Sequence, residues 1–217
     1  MRPLAVWLLG GLAFAAVAGL PRDAAATFPV LLSARSLPPG ATEGFLAGGY
    51  GNTAPDYWTA LAGVRHGLLR RIEVGARAGA AWVEAPDDTD VAPVAGVDVK
   101  VEVLRESIDI PVDLAIDASW TVARPGGDTW SDLAFTALFG KRVRIEWLDD
   151  TIGPDRLAAV VGAQLVFLGG TARPGREDSA AYGLIGVEIA LPAGLALLPE
   201  AKVGSDTVVG LSLRYRF

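Results

Sequence analysis

Val209-Gly210-Leu211-Ser212-Leu213-Arg214-Tyr215-Arg216-Phe217 closes the chain. Its odd positions read Val, Leu, Leu, Tyr and Phe, and its even positions Gly, Ser, Arg and Arg. Successive side chains of a strand point to opposite faces, so this is a strand with one apolar and one polar face. An aromatic residue ends the apolar face. Such a strand needs two different surroundings, and the rest of the sequence must say which face meets which.

The same alternation recurs upstream. Val97, Val99, Val101 and Val103 alternate with Asp98, Lys100 and Glu102. Val112, Leu114, Ile116, Ala118, Trp120 and Val122 alternate with Asp113, Ala115, Asp117, Ser119 and Thr121. Ile72, Val74, Ala76, Ala78, Ala80 and Trp82 alternate with a set that includes Glu73 and Arg77. The chain is 51% hydrophobic with a mean hydropathy of +0.36. Yet after residue 20 every apolar run is cut within a few residues by Gly, Asp, Lys or Arg, so the hydrophobicity sits in alternation and not in spanning helices.

The start of the chain reads as an export signal. Arg2 precedes an apolar stretch from Leu4 to Leu20, and Ala24-Ala25-Ala26 offers a small-residue cleavage site. There is no cysteine, hence no disulfide framework. The formal charge of −6 argues against nucleic acid, which asks for a basic footprint.

These features together resemble the bacterial outer-membrane β-barrel proteins, of the small porin-like or OmpA-like kind, whose last strand ends in Phe after alternate apolar residues. The resemblance implies an all-β fold: a closed up-and-down antiparallel transmembrane barrel. It also implies residence in the outer membrane among its lipids and lipopolysaccharide, and folding by the barrel-assembly machinery through the strand that carries Tyr215 and Phe217. Residues 1–26 are read as signal peptide, 27–42 as a proline-rich periplasmic lead or a segment tucked into the barrel mouth, and 43–217 as the barrel.

Hairpin rhythm gives ten strands, at 43–51, 57–66, 71–84, 94–104, 110–123, 130–143, 156–168, 180–190, 195–203 and up to 217, with eight or twelve as alternatives. An even count is the rule for single-chain bacterial barrels. Loops are expected at 85–92, 124–129, 148–155 and 169–179, and a tight turn at 67–70.

Alternation alone would also suit a soluble β-protein with its apolar face inward. The aromatic residues favour lipid. Trp58, Trp82, Trp120 and Trp130 fall at the loop ends of their strands, and Trp147, Tyr215 and Phe217 at the turn ends, which makes two belts of the kind membrane interfaces select. Trp130 shares parity with Asp132 and could instead cap the rim.

The lumen is then lined by Glu73, Arg77, Asp98, Lys100, Glu102, Asp113, Asp117, Asp132, Glu188, Glu200, Lys202 and Arg214. The signs nearly balance, so ion pairs bracing a narrow barrel are expected, with small residues such as Gly75, Ala115 and Gly162 leaving room for a thin water path. A structural or narrow-channel role follows, in a monomer. The alternative is a surface-binding module acting through the outer loops; a lipid or peptide hydrolase comes third.

No enzyme is expected. The sole histidine, His66, falls at a turn and on the lipid parity, and no G-x-S-x-G motif occurs. No cofactor and no metal are expected either: Asp87-Asp88-Thr89-Asp90 lacks the spacing and the distal Glu of a calcium loop.

Overall fold

The computed structural model describes residues 32–52, 56–84, 89–124, 129–144, 156–170, 179–204 and 206–217. The expected signal peptide, Trp147 and the connection at 148–155 lie outside them. Ten strands are present among the described residues: β1 Thr42–Asn52, β2 Tyr57–Leu69, β3 Ile72–Glu84, β4 Thr89–Leu104, β5 Asp113–Ala123, β6 Trp130–Val143, β7 Leu157–Gly170, β8 Ser179–Ala190, β9 Leu195–Gly204 and β10 Thr207–Arg216. Each pairs antiparallel with its sequence neighbour, and β10 returns to β1, closing the ring. The closing seam is set by Leu46 opposite Leu213 and Gly49 opposite Gly210. Closure leaves no unpaired sheet edge, the condition for spanning hydrocarbon with strands.

Three boundaries differ from the sequence reading. β4 begins at Thr89, not 94. The acids and Pro93 suggest a loop, yet Val91 faces out opposite Trp82, Ala92 faces in opposite Ala81, and the Pro93 carbonyl accepts the Arg124 N–H at 3.2 Å. A proline that has no donor to offer still fits where its neighbour asks only for an acceptor. Residues 110–112 are not strand: Ser107 N–H donates to Ile110 O at 2.7 Å, and Pro111 brings no N–H to a ladder.

The turn after β2 is the third difference. Gly67 reads as a breaker, but β2 continues to Leu69 and the chain reverses at Arg70–Arg71, with Arg71 in the left-handed region (φ 76°). Gly67 serves another purpose. A Cβ there would stand 2.1 Å from the carbonyl oxygen of Pro38, which crosses it.

The faces sort cleanly. Val97, Val99, Ile116, Phe135, Leu165, Ile185 and Leu211 are exposed on the outside, while Asp98, Lys100, Asp117, Thr136, Gln164 and Lys202 are buried inside. A water-soluble protein would place them the other way round. The exterior is suited to hydrocarbon and the interior is not.

The interior holds both apolar and ionic layers. From Phe45 in the turn-side half up to the loop side, Phe45, Tyr57, Leu61, Val83, Val94, Ala123 and Val208 form one cluster, and Ala134, Val166 and Tyr182 form another. In the turn-side half, Leu32 and Ala34 of the lead pack with Ala115, Leu138, Val160 and Leu184.

Candidate functional site

The segment before β1 is the organising feature of the lumen. Its buried residues, Leu32, Ser33, Ala34, Ser36 and Leu37, lie within the turn-side half of the cylinder. Strand side chains hold its backbone. The Ser36 N–H donates to Glu102 Oε2 at 2.9 Å, and the Leu37 N–H donates to Glu73 Oε2 at 2.9 Å. Lys100 Nζ donates to the carbonyls of Ser33 and Arg35, each at 3.1 Å. Arg35 reaches Asp113 Oδ1 at 3.3 Å. A segment without regular structure would bury unsatisfied amides and carbonyls; here charged groups of β3 and β4 bond the Ser36 and Leu37 amides and the Ser33 and Arg35 carbonyls.

The wall was shaped for that segment as well. A Cβ on Gly140 would lie 2.7 Å from the Ala34 Cβ, so the glycine leaves the space Ala34 fills. Gly40 N–H donates to Gly67 O at 2.7 Å, and Gly67 N–H returns a bond to Ala41 O at 2.9 Å, which fastens the lead where it leaves the lumen.

Ionic groups fill the space beside and above the lead. Lys100 Nζ lies 3.1 Å from Glu73 Oε2, and Arg65 Nε stands 3.7 Å from Glu73 and 3.8 Å from Asp98. Arg65 also sits 4.5 Å over the Phe45 ring. Elsewhere in the interior Arg77 Nη2 donates to Thr121 Oγ1 at 2.7 Å, Lys202 Nζ donates to Gln164 Oε1 at 3.1 Å, and Gln164 Nε2 donates to Thr136 Oγ1 at 3.0 Å. Arg214 spans Glu43 at 3.6 Å and Glu188 at 3.3 Å. Burial of this many charges is tolerable only with such partners, since an isolated buried ion costs several kcal/mol.

Of the residues expected along the lumen, Glu73, Arg77, Asp98, Lys100, Glu102, Asp113, Asp117, Asp132, Lys202 and Arg214 are buried in the interior, and Glu188 and Glu200 are half-buried. Other atoms stand close to the small residues expected to leave room. A Cβ on Gly75 would meet the Asp98 carboxylate at 2.5 Å, one on Gly162 would meet Leu138 at 3.1 Å, and Ala115 is covered by the lead cluster. The lead is what the sequence reading underweighted. Its one legible sign was a Leu and Ala content too apolar for a free periplasmic strand of chain.

The belts are populated in part. Trp58 and Trp82 face each other across β2 and β3, both outward, and Trp58 stacks against Tyr50 at 4.7 Å. Trp120 is exposed outside, and Tyr215 and Phe217 meet edge to face at 5.1 Å on the turn side. Trp130 leaves the belt. It packs against the inner loop-side cluster, because it shares the inward parity of Asp132 and lies opposite Ala123. His66 is half-buried at the turn side, with Nδ1 3.0 Å from Thr42 Oγ1. Asp87 and Asp88 lie outside the described residues, and Asp90 belongs to β4.

Below the lead the barrel opens into a vestibule of about 470 Å³ on the turn side. Nine basic and four acidic side chains line it. All four acids, Glu43, Glu73, Asp113 and Glu188, are engaged in ion pairs. At the edge, Glu102 hydrogen-bonds Arg105 and holds that guanidinium above its ordinary pKa.

Greasy outside, ionic inside and closed on itself, the chain is a transmembrane β-barrel. It is similar in fold to the β domain of the Bordetella autotransporter BrkA, at 11% identity over 83% of this chain and 100% of that one, with a TM-score of 0.46. It is also similar to the translocator domain of the autotransporter NalP from Neisseria meningitidis, at 12% identity over 99% and 97%, TM-score 0.41. A third likeness is to a loop-deletion mutant of OmpT, an outer membrane protein of Vibrio cholerae, at 13% identity and TM-score 0.37. That match covers 80% of this chain and 59% of that one. No family model matches the sequence, and no curated protein matches it.

Proposed function

We propose that this protein is a sealed outer-membrane barrel, structural and non-conducting at rest, whose own N-terminal lead stoppers its periplasmic half. One observation carries this reading: Lys100, itself buried, ties the lead's carbonyls to the wall while Glu73 and Glu102 take its amides. The apolar clusters around Tyr57 and Tyr182 support it by filling the other half. A barrel of about ten strands is narrow enough for side chains to fill.

The alternative roles draw less support. A surface-binding module would act through the outer loops, whose sequences at 85–92, 124–129 and 169–179 are short and polar. A hydrolase draws no support from a nucleophile motif in the sequence, and the sole histidine, His66, lies at the turn side beside Thr42.

Planar-bilayer recording of the refolded chain tests the proposal. The chain from Thr27 onward should give no steady conductance, and removal of residues 27–37 should produce small discrete steps. Steady conductance in the intact chain, equal to that of the shortened one, would exclude a sealed barrel.

A further inference from the structure

The vestibule carries more positive charge than its structure uses. Arg35 answers Asp113, Arg214 and Arg216 share Glu43, and Lys100 answers Glu73. Arg70, Arg142 and Arg156 also line the cavity, and among the described residues no acid lies within ion-pair distance of them. Arg71 adds a fourth guanidinium, whose bond among the described residues is to the Val103 carbonyl, at 3.3 Å. This surplus sits in a protein whose formal charge is −6, so it is a local concentration against the overall sign.

The topology spreads the surplus across the opening. Arg70 and Arg71 form the β2–β3 turn, whereas Arg142 ends β6 and Arg156 precedes β7. In a ring of ten strands those two places are four positions apart, nearly opposite. A single phosphate or carboxylate reaches one side at a time. Arg71 also keeps a large side chain at a left-handed backbone position (φ 76°), where glycine or asparagine would sit without strain.

We propose that the vestibule binds a soluble oligophosphate, a chain of linked phosphate groups that bridges the Arg70–Arg71 turn to Arg142 and Arg156. Guanidinium forks match phosphate oxygens bidentately. Linked phosphates bring the several negative charges that four guanidiniums with no acid beside them among the described residues call for within a cavity of about 470 Å³. The inference goes beyond the sealed-barrel reading and holds whether or not the lumen conducts, because the vestibule lies below the lead.

Titration calorimetry of the refolded full chain with inorganic tripolyphosphate tests this directly. Tripolyphosphate should bind, orthophosphate should bind at least about tenfold more weakly, and affinity should fall as salt rises, since charges at an open mouth are screened over about 10 Å at 0.1 M. The combined variant Arg70→Gln, Arg142→Gln and Arg156→Gln should lose at least about tenfold in affinity, about 1.4 kcal/mol. Among the described residues no acid pairs with these side chains, so the variant should keep the heat-modifiable gel migration of the parent.

Equal affinity in parent and variant would overturn the proposal. So would binding confined to vesicles containing phosphatidylglycerol, which would make the arginines a lipid-headgroup surface. Binding that appears only after Glu146, Asp149, Asp150 and Asp155 are neutralised would overturn it too, since the arginines would then be satisfied by this chain.

Discussion

Lys100 Nζ stands 3.1 Å from Glu73 Oε2, and the two residues face each other directly across β4 and β3. Both are almost wholly buried. Around this one cross-strand pair the lead is clamped, because Lys100 holds its carbonyls and Glu73 takes an amide. The pair couples barrel wall to stopper, so a change in either partner should be felt in both.

Lys100→Met should therefore destabilise the folded barrel by about 3–5 kcal/mol, the cost of leaving a buried partner unpaired. Adding Glu73→Gln should recover part of that loss by removing the orphaned charge. Urea unfolding in lipid vesicles measures both; a double variant no more stable than Lys100→Met would show that the pair is not coupled.

Val99 faces outward on β4, between Val74 and Ala118 on its neighbours. Val99→Arg should cost about 2–4 kcal/mol if the residue lies near the bilayer midplane. Ile108, fully exposed in the turn after β4, is the control, and Ile108→Arg should change stability by less than about 0.5 kcal/mol. Equal costs in the same unfolding assay would remove the lipid-facing assignment of β4.

Gly140 leaves room for Ala34, since a Cβ would approach it to 2.7 Å. Gly140→Val should push the lead out of the lumen while the strand ladder persists, as β-branched residues suit strands. The displaced lead should become a substrate for added protease, and discrete conductance steps should accompany it. A lead as protected as in the parent would mean that Ala34 does not hold it in place.

Much of the barrel was legible because the alternation is strict where it matters. Val97 to Val103 interleaved with Asp98, Lys100 and Glu102 leaves one possible orientation once the exterior is known to be lipid. A one-residue slip would put three charges into hydrocarbon. The boundaries that sequence missed are those where tertiary contacts override local signals. Gly67 looks like turn chemistry, but it is glycine because the Pro38 carbonyl passes over it. Pro93 looks like a loop, but its strand neighbour needs only its carbonyl.

The interior was less legible for a related reason. Parity identifies Glu73, Glu102 and Lys100 as inward, and sequence then pairs them with one another. It has no way to show that they also serve backbone amides and carbonyls more than thirty residues away in Ser33 to Leu37. Trp130 illustrates the same limit at the rim, where position along the strand favours the belt and parity favours the interior.

The central claim is that one face of every strand meets lipid and the other a filled interior. Leu211 and Ser212 test it on adjacent residues of β10, one exposed and one completely buried. The chain has no cysteine, so each can be replaced singly. A fluorophore on Leu211→Cys should be quenched by brominated lipid in vesicles, and Ser212→Cys should resist every maleimide until the barrel is unfolded. If the Leu211→Cys thiol reacts freely with a membrane-impermeant maleimide while brominated lipid quenches a probe at Ser212→Cys, the barrel is inverted and the account is wrong.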